Sequence, residues 1–111
     1  MVAITRIEAH GRFSRSGRTF FIHRLKITVE SNRHTYEYDC VRDAEGRMTC
    51  SLFIDGRHED IVVDPPIVKE AIPIIETHLN TEHVDISENR VVIEMARKPH
   101  YIEVVRGYRL L

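Results

Sequence analysis

Four residues of the predicted second and third strands could bind an anion or transfer a proton together. His23 lies on the apolar side of its strand, and the predicted pairing sets it near Arg42, with Tyr36 and Tyr38 further along the same face. Imidazole, guanidinium and phenol groups in a half-buried site can do either kind of chemistry. The commoner arrangement is a core histidine that is hydrogen-bonded to a tyrosine. A pocket at these residues is therefore one alternative that the sequence leaves open.

Basic and aromatic residues are concentrated around the first predicted turn. Arginines bind phosphates and exposed phenylalanines stack on bases, so the combination suits single-stranded nucleic acid. Phe21 is expected to face the core, which leaves two phenylalanines for stacking. The candidate polyanion-binding residues are Arg12, Phe13, Arg15, Arg18, Phe20 and Arg24. No nucleic-acid-binding motif and no overall positive charge accompany them.

The charge of the chain is unevenly distributed. Residues 1–35 carry seven Arg and Lys against two acids, while the whole chain has a net charge of only -1. A dipolar molecule of this kind can bind a polyanion, associate head to tail, or simply keep a charged face in water. The charge pattern alone does not choose among these three.

Cys40 and Cys50 are predicted to lie opposite each other in a hairpin, where side chains approach closely. A disulfide can form there, but we expect reduced thiols packed in the core, because cytosolic thiols are usually kept reduced. Neither state is catalytic. Redox dithiols more often have two intervening residues at the start of a helix.

Metal and cofactor sites are not expected. His78, Glu82 and His83 cluster in the sequence, but a predicted helix end at 80–81 separates them, and zinc requires three or four converging ligands. The chain contains no phosphate-binding loop, dinucleotide-binding glycine motif or nucleophile elbow. A conventional enzyme is therefore not favoured.

The elements that position these residues follow from alternating apolar and polar residues with turn residues between them. The first part, 1–63, is predicted to be a five-stranded meander. Its first hairpin is expected to set Ile7 opposite Leu25 and Glu8 opposite Arg24, with Gly17 in the turn. Further pairs are expected between residues 25 and 40, 27 and 38, 29 and 36, and 40 and 50. The predicted strands are Val2–Phe13, Thr19–Glu30, Thr35–Arg42, Met48–Ile54 and Arg57–Val63.

A helix over 64–80 follows, since apolar residues recur there at helical spacing, with Asp64 as the expected N-cap. Pro73 removes one helical hydrogen bond, so we expect a kink or break near Ile72. Residues 82–111 alternate again, which predicts three more strands that begin near Val84. Gly11 and Gly107 are expected bend or bulge sites.

One β-rich domain over 1–111 is therefore expected, of the α+β class and mostly antiparallel. About eight strands would form a strongly curved sheet or half-barrel packed on the single helix. Its 42% hydrophobic and 30% charged residues are ordinary for a globular domain. No apolar stretch approaches the length of a membrane span and the start does not resemble a signal peptide, which favours a cytoplasmic protein without a membrane partner.

The favoured function is a non-catalytic binding or assembly module that contacts a protein partner or a second copy of itself, because exposed edge strands invite pairing. Nucleic-acid binding through the basic hairpin 11–24 is the alternative. A small enzyme or anion-binding pocket around His23, Arg42 and Tyr38 is the second alternative.

Overall fold

The computed structural model describes residues 2–16, 19–85 and 87–102. They form one antiparallel sheet of seven strands and one helix, and the sheet does not close into a barrel. The spatial order is β5-β4-β3-β2-β1-β6, and β7 also pairs with β1. The elements are β1 Val2–Phe13, β2 Phe20–Glu30, β3 Thr35–Arg42, β4 Met48–Ile54, β5 Arg57–Val63, α1 Pro66–Thr81, β6 Arg90–Glu94 and β7 His100–Ile102. The predicted class, mostly antiparallel α+β, is confirmed.

The core lies between one face of the sheet and α1. Ile67, Ala71 and Ile75 recur every four residues, so they share one side of the helix, and all three are buried. They belong to the same buried cluster as the inward-facing residues of the strands, such as Ile27 and Leu52. The helix therefore covers the apolar face that the alternation predicts.

The predicted register of the second and third hairpins is confirmed. Leu25 pairs with Cys40 across β2 and β3, and Cys40 pairs with Cys50 across β3 and β4. The turn between β3 and β4 forms because the Asp43 carboxylate accepts hydrogen bonds from the backbone N–H groups of Glu45 and Arg47. Asp–Gly turn chemistry in the sequence was sufficient to set this register.

The register of the first hairpin differs from the prediction. Leu25 lies opposite Ala9 rather than Ile7, a shift of two residues. An even shift leaves every side chain on its predicted face, so Leu25 is still buried. One residue of the shift comes from a longer loop: the Ser14 N–H donates to the carbonyl of Thr19, and Phe13 pairs with Phe20 as the last strand pair. The other residue of the shift comes from a bulge in β2. The predicted turn residue Gly17 lies outside the described residues.

A bulge in β2 reverses the predicted faces of its first residues. His10 pairs with Arg24 but Gly11 pairs with Ile22, which leaves His23 as the extra residue. Beyond the bulge, Ile22 packs against the core, whereas His23 is exposed and Phe21 is 64% exposed. The predictions that His23 and Phe21 face the core are therefore wrong. The predicted bulge site at Gly11 is adjacent to the one observed.

The helix runs without a break through Pro73, so the predicted interruption near Ile72 is not present. Pro73 lies on the exposed side of α1, where water can hydrate the carbonyl that lacks a helical partner. Asp64 is not the N-cap. Its carboxylate instead accepts a hydrogen bond from the N–H of Met48, and Pro65 occupies the cap position.

The last part of the chain contains fewer strands than predicted within the described residues. Val84 lies in a segment without regular structure, and only β6 and β7 follow the helix. Ile86 and residues 103–111, including Gly107, lie outside the described part of the chain.

Candidate ligand-binding cleft

A cleft of about 640 Å³ lies between the second half of α1 and the first residues of β2. This volume is within the usual range for small-molecule sites, roughly 300–1,000 Å³. Its apolar lining comes from Phe20 and Ile22 on the sheet and from Ile72, Ile75 and Leu79 on the helix. Its polar side chains include His23, Arg42, Glu76 and Asn80.

The cleft exists because β2 extends beyond its neighbour β3. The pairing of these two strands stops at Arg24 and Val41, while β2 continues back to Phe20 beside β1. The bulge at His23 directs Phe20 and Ile22 toward the core side of the sheet, where both are half-buried. The helix lies over this part of β2, which has no β3 residue beside it, and forms the opposite wall of the cleft.

Arg42 supplies a fixed positive charge at the edge of the cleft. Its Nε donates to the carbonyl of Ile22 at 2.9 Å, and its Nη1 donates to the carbonyl of Gly46 at 2.8 Å. Within the described part of the chain it has no carboxylate partner. Two neutral acceptors therefore orient the guanidinium but leave its charge uncompensated, as an anion-binding group requires.

The remaining polar side chains of the cleft are not used by the fold. His23, Glu76 and Asn80 are exposed, and their side chains form no hydrogen bond or ion pair with a described residue. Groups without structural partners at the mouth of an apolar cleft are available to a ligand.

The structure brings together His23 and Arg42, two of the four predicted pocket residues. Tyr36 and Tyr38 are only 1% and 4% exposed and belong to the core, so they do not line the cleft. Burial raises the pKa of the Tyr38 phenol to about 12, which keeps it neutral. The predicted grouping of all four residues is wrong because the bulge turns His23 away from the tyrosine face.

The helical wall of the cleft was missed by sequence reasoning. Ile72, Glu76 and Leu79 share one side of α1, since three- and four-residue steps return to the same face. Helical spacing showed this side, but no local pattern showed that it faces the first residues of β2.

No family model, curated protein or solved structure matches this chain. Only the geometry of the cleft therefore bears on the role of its residues.

The described members of the predicted polyanion-binding set do not form one open surface. Arg24 donates two hydrogen bonds to the carboxylate of Asp39. Phe13 and Phe20 stack on each other, with ring centroids 4.5 Å apart, and both pack against the core. Of the described members of the set, Arg12 and Arg15 are exposed and unpaired, whereas Arg18 lies outside the described residues.

The face of the sheet opposite the helix carries a network of ion pairs across β6, β1, β2 and β3. Glu8 is its centre, since its carboxylate contacts Arg6, His10 and Arg90 at 3.2, 2.8 and 3.7 Å. The hydrogen bond to His10, followed by the one to Arg6, lowers the pKa of Glu8. Such a carboxylate stabilises the folded state while it is ionised.

Replacing Glu8 by glutamine is expected to destabilise the protein by about 1 kcal/mol at pH 7. Because the pKa of Glu8 is lowered in the folded state, its contribution is present above the unfolded pKa and disappears as the pH falls through the folded one. The difference in stability between the two proteins should therefore be smaller at pH 3 than at pH 7. Urea unfolding at both pH values measures this, with Glu37→Gln on the same face as the control. An equal deficit at both pH values would contradict the assignment.

The same face becomes apolar at the corner formed by β3, β4 and β5. Val41, Ile61 and Val63 are 49%, 61% and 47% exposed. Thr49 pairs with both Val41 and Val63, and Ser51 pairs with Ile61, so the three apolar side chains lie close together. We call these three residues the outer apolar corner.

Cys40 and Cys50 form a disulfide between β3 and β4, where the sequence favoured reduced thiols. Both are fully buried beneath the helix. Among the described residues no group of three metal-ligating side chains converges, His78, Glu82 and His83 included. No helix in the described ranges is long and apolar enough to cross a membrane.

Proposed function

We propose that this protein binds a small amphipathic molecule in the cleft between α1 and β2. The observation that carries the proposal is the combination of a cavity of about 640 Å³ with an oriented, uncompensated Arg42 at its edge. Apolar walls with a few convergent polar groups are typical of small-molecule sites. The apolar part of the ligand lies against Ile22, Ile72 and Leu79, and its polar part lies at the mouth of the cleft.

The amphipathic dye 8-anilinonaphthalene-1-sulfonate is expected to bind the folded protein at one saturable site. Leu79→Gln should weaken its binding about tenfold, since the substitution removes a half-buried apolar side chain from the wall. Fluorescence titration of the variant and the wild type measures the change. Thermal unfolding of both proteins checks that the variant is folded.

The matched control is Ile61→Lys in the outer apolar corner, which also offers apolar surface to the dye. This variant should bind the dye as the wild type does. Loss of binding in Ile61→Lys together with normal binding in Leu79→Gln would overturn the proposal.

The outer apolar corner favours a second candidate function, assembly with a second copy of the chain. Its three apolar side chains carry no charge, so two identical corners can pack on each other without repulsion. Pairing along the edge of β5 is less favourable. This strand has a bulge at Glu59, with charged residues on either side of it, and both features oppose edge-to-edge pairing.

If the corner is an interface, Ile61→Lys is expected to reduce the mass measured by light scattering from that of an oligomer to that of a single chain. A buried lysine without a partner is strongly unfavourable. Leu79→Gln should keep the wild-type mass, because it lies on the other side of the sheet. A wild-type protein that remains a single chain at millimolar concentration would contradict assembly.

A further inference from the structure

We propose that the ligand of the cleft is zwitterionic, with an anionic group that binds Arg42 and a cationic group that binds Glu76. This inference rests on the proposed function and names the class of molecule that the cleft takes. The two charged side chains stand on opposite walls, Arg42 on the sheet and Glu76 on the helix. Most of the other lining side chains are apolar.

Both charges remain uncompensated within the described part of the chain. Arg42 hydrogen-bonds only to backbone carbonyls, and Glu76 has no hydrogen bond or ion pair. They do not form an ion pair with each other, although both line the same cleft. A ligand that carries both charges can satisfy the two walls at once.

Glu76 on the helix wall is an exposed carboxylate, which attracts a cationic group of a ligand. His23 lines the same cleft as Arg42 on the sheet wall. An anionic ligand without a cationic group would instead be repelled by Glu76 across the cleft.

The apolar lining determines what the ligand carries besides its two charged groups. Ile75 is 2% exposed at the base of the cleft, and half-buried Phe20, Ile22 and Leu79 surround it. A purely polar zwitterion would leave these surfaces without a partner. The class that fits is an amino acid, or a similar molecule, with an apolar or aromatic body.

Three probes with the same phenyl group and different charges test the inference: L-phenylalanine, 3-phenylpropanoate and 2-phenylethylamine. Phenylalanine should bind about 1.5-fold to fivefold more tightly than either of the others, the range for one solvent-exposed ion pair. Nuclear magnetic resonance titration of the whole protein measures the affinities, and the amides of residues 20–23 should report binding.

Glu76→Gln should change the affinities of phenylalanine and 3-phenylpropanoate in opposite directions. It should weaken phenylalanine binding about 1.5-fold to fivefold and tighten 3-phenylpropanoate binding, because it removes an attraction for one and a repulsion for the other. The substitution is exposed and compatible with the helix, so the fold is retained. Arg42→Lys keeps the positive charge and should preserve the order of the three probes, whereas Arg42→Gln should weaken both probes that carry a carboxylate.

Equal binding of phenylalanine and 3-phenylpropanoate, with no effect of Glu76→Gln on either, would overturn the zwitterionic ligand and leave the proposed function intact. Dye binding in the cleft without binding of any phenyl probe would also overturn it. If neither the dye nor the probes bind, the proposed function fails together with this inference.

Discussion

Replacing Gly11 by alanine is expected to destabilise the fold by about 3 kcal/mol. Gly11 is buried beside the bulge of β2, and a Cβ atom there would overlap the carbonyl oxygen of Phe21 and lie 2.8 Å from its carbonyl carbon. These are backbone atoms of the paired strand. They cannot move aside unless the pairing of β1 and β2 around the bulge is disrupted.

The matched control for this variant is Gly46→Ala in the turn between β3 and β4. Gly46 has a φ of +84°, but nothing lies within 4 Å of the position that a Cβ atom would take, so the expected loss is about 1 kcal/mol from backbone conformation alone. Urea unfolding followed by circular dichroism compares the two. Equal losses for Gly11→Ala and Gly46→Ala would contradict the close packing at the bulge.

Gly11 pairs with Ile22, which belongs to the sheet wall of the cleft. Displacement of Phe21 would also move its neighbours Phe20 and Ile22, which form the sheet wall of the cleft. Dye affinity in Gly11→Ala should therefore fall even under conditions where the variant is fully folded. The carbonyl of Gly46 accepts a hydrogen bond from Arg42. Dye affinity in Gly46→Ala therefore measures whether a change in this turn affects the cleft.

Reducing the disulfide between Cys40 and Cys50 is expected to lower the free energy of unfolding by about 2.5 kcal/mol. This loss corresponds to the chain entropy that a crosslink across ten residues removes from the unfolded state. Urea unfolding of the wild type with and without reductant measures the difference. In the double variant Cys40→Ala, Cys50→Ala, reductant should have no effect.

The bond itself can be examined by alkylation of the protein unfolded without reductant. No cysteine should be alkylated, whereas two alkylated cysteines would contradict the disulfide. Because disulfides persist mainly in oxidising compartments, the same measurement on protein taken from cells bears on the expected cytoplasmic location.

The order of β1 to β5 and the registers of β2 with β3 and of β3 with β4 could be predicted from sequence because each depends on a few neighbouring residues. Asp43 and Gly46 define one turn, and Asp55 and Gly56 define another, with the expected left-handed conformations at Gly46, Asp55 and Gly56. Alternation then assigns the faces, so the opposition of Cys40 and Cys50 follows. Local chemistry is sufficient for these elements.

The first hairpin could not be predicted in the same way because its loop is longer and its register depends on packing. Phe13 stacks on Phe20 at the end of this hairpin, and the backbone of Phe21 approaches Gly11 too closely for any other residue to fit there. The extra residue His23 moves the side chains of residues 20–22 to the opposite face of the sheet from the one that alternation predicts. For this reason the alternation correctly placed Leu25 but misplaced His23.

The sequence by itself determined an antiparallel meander with one helix and the presence of an arginine and a histidine near one end of the sheet. Only the tertiary structure decided that Arg42, His23 and Glu76 line one cleft while Tyr36 and Tyr38 are buried in the core. The physical reason is that turns and alternation act between neighbouring residues. The cleft instead depends on how a helix some fifty residues further along the chain packs over the end of β2.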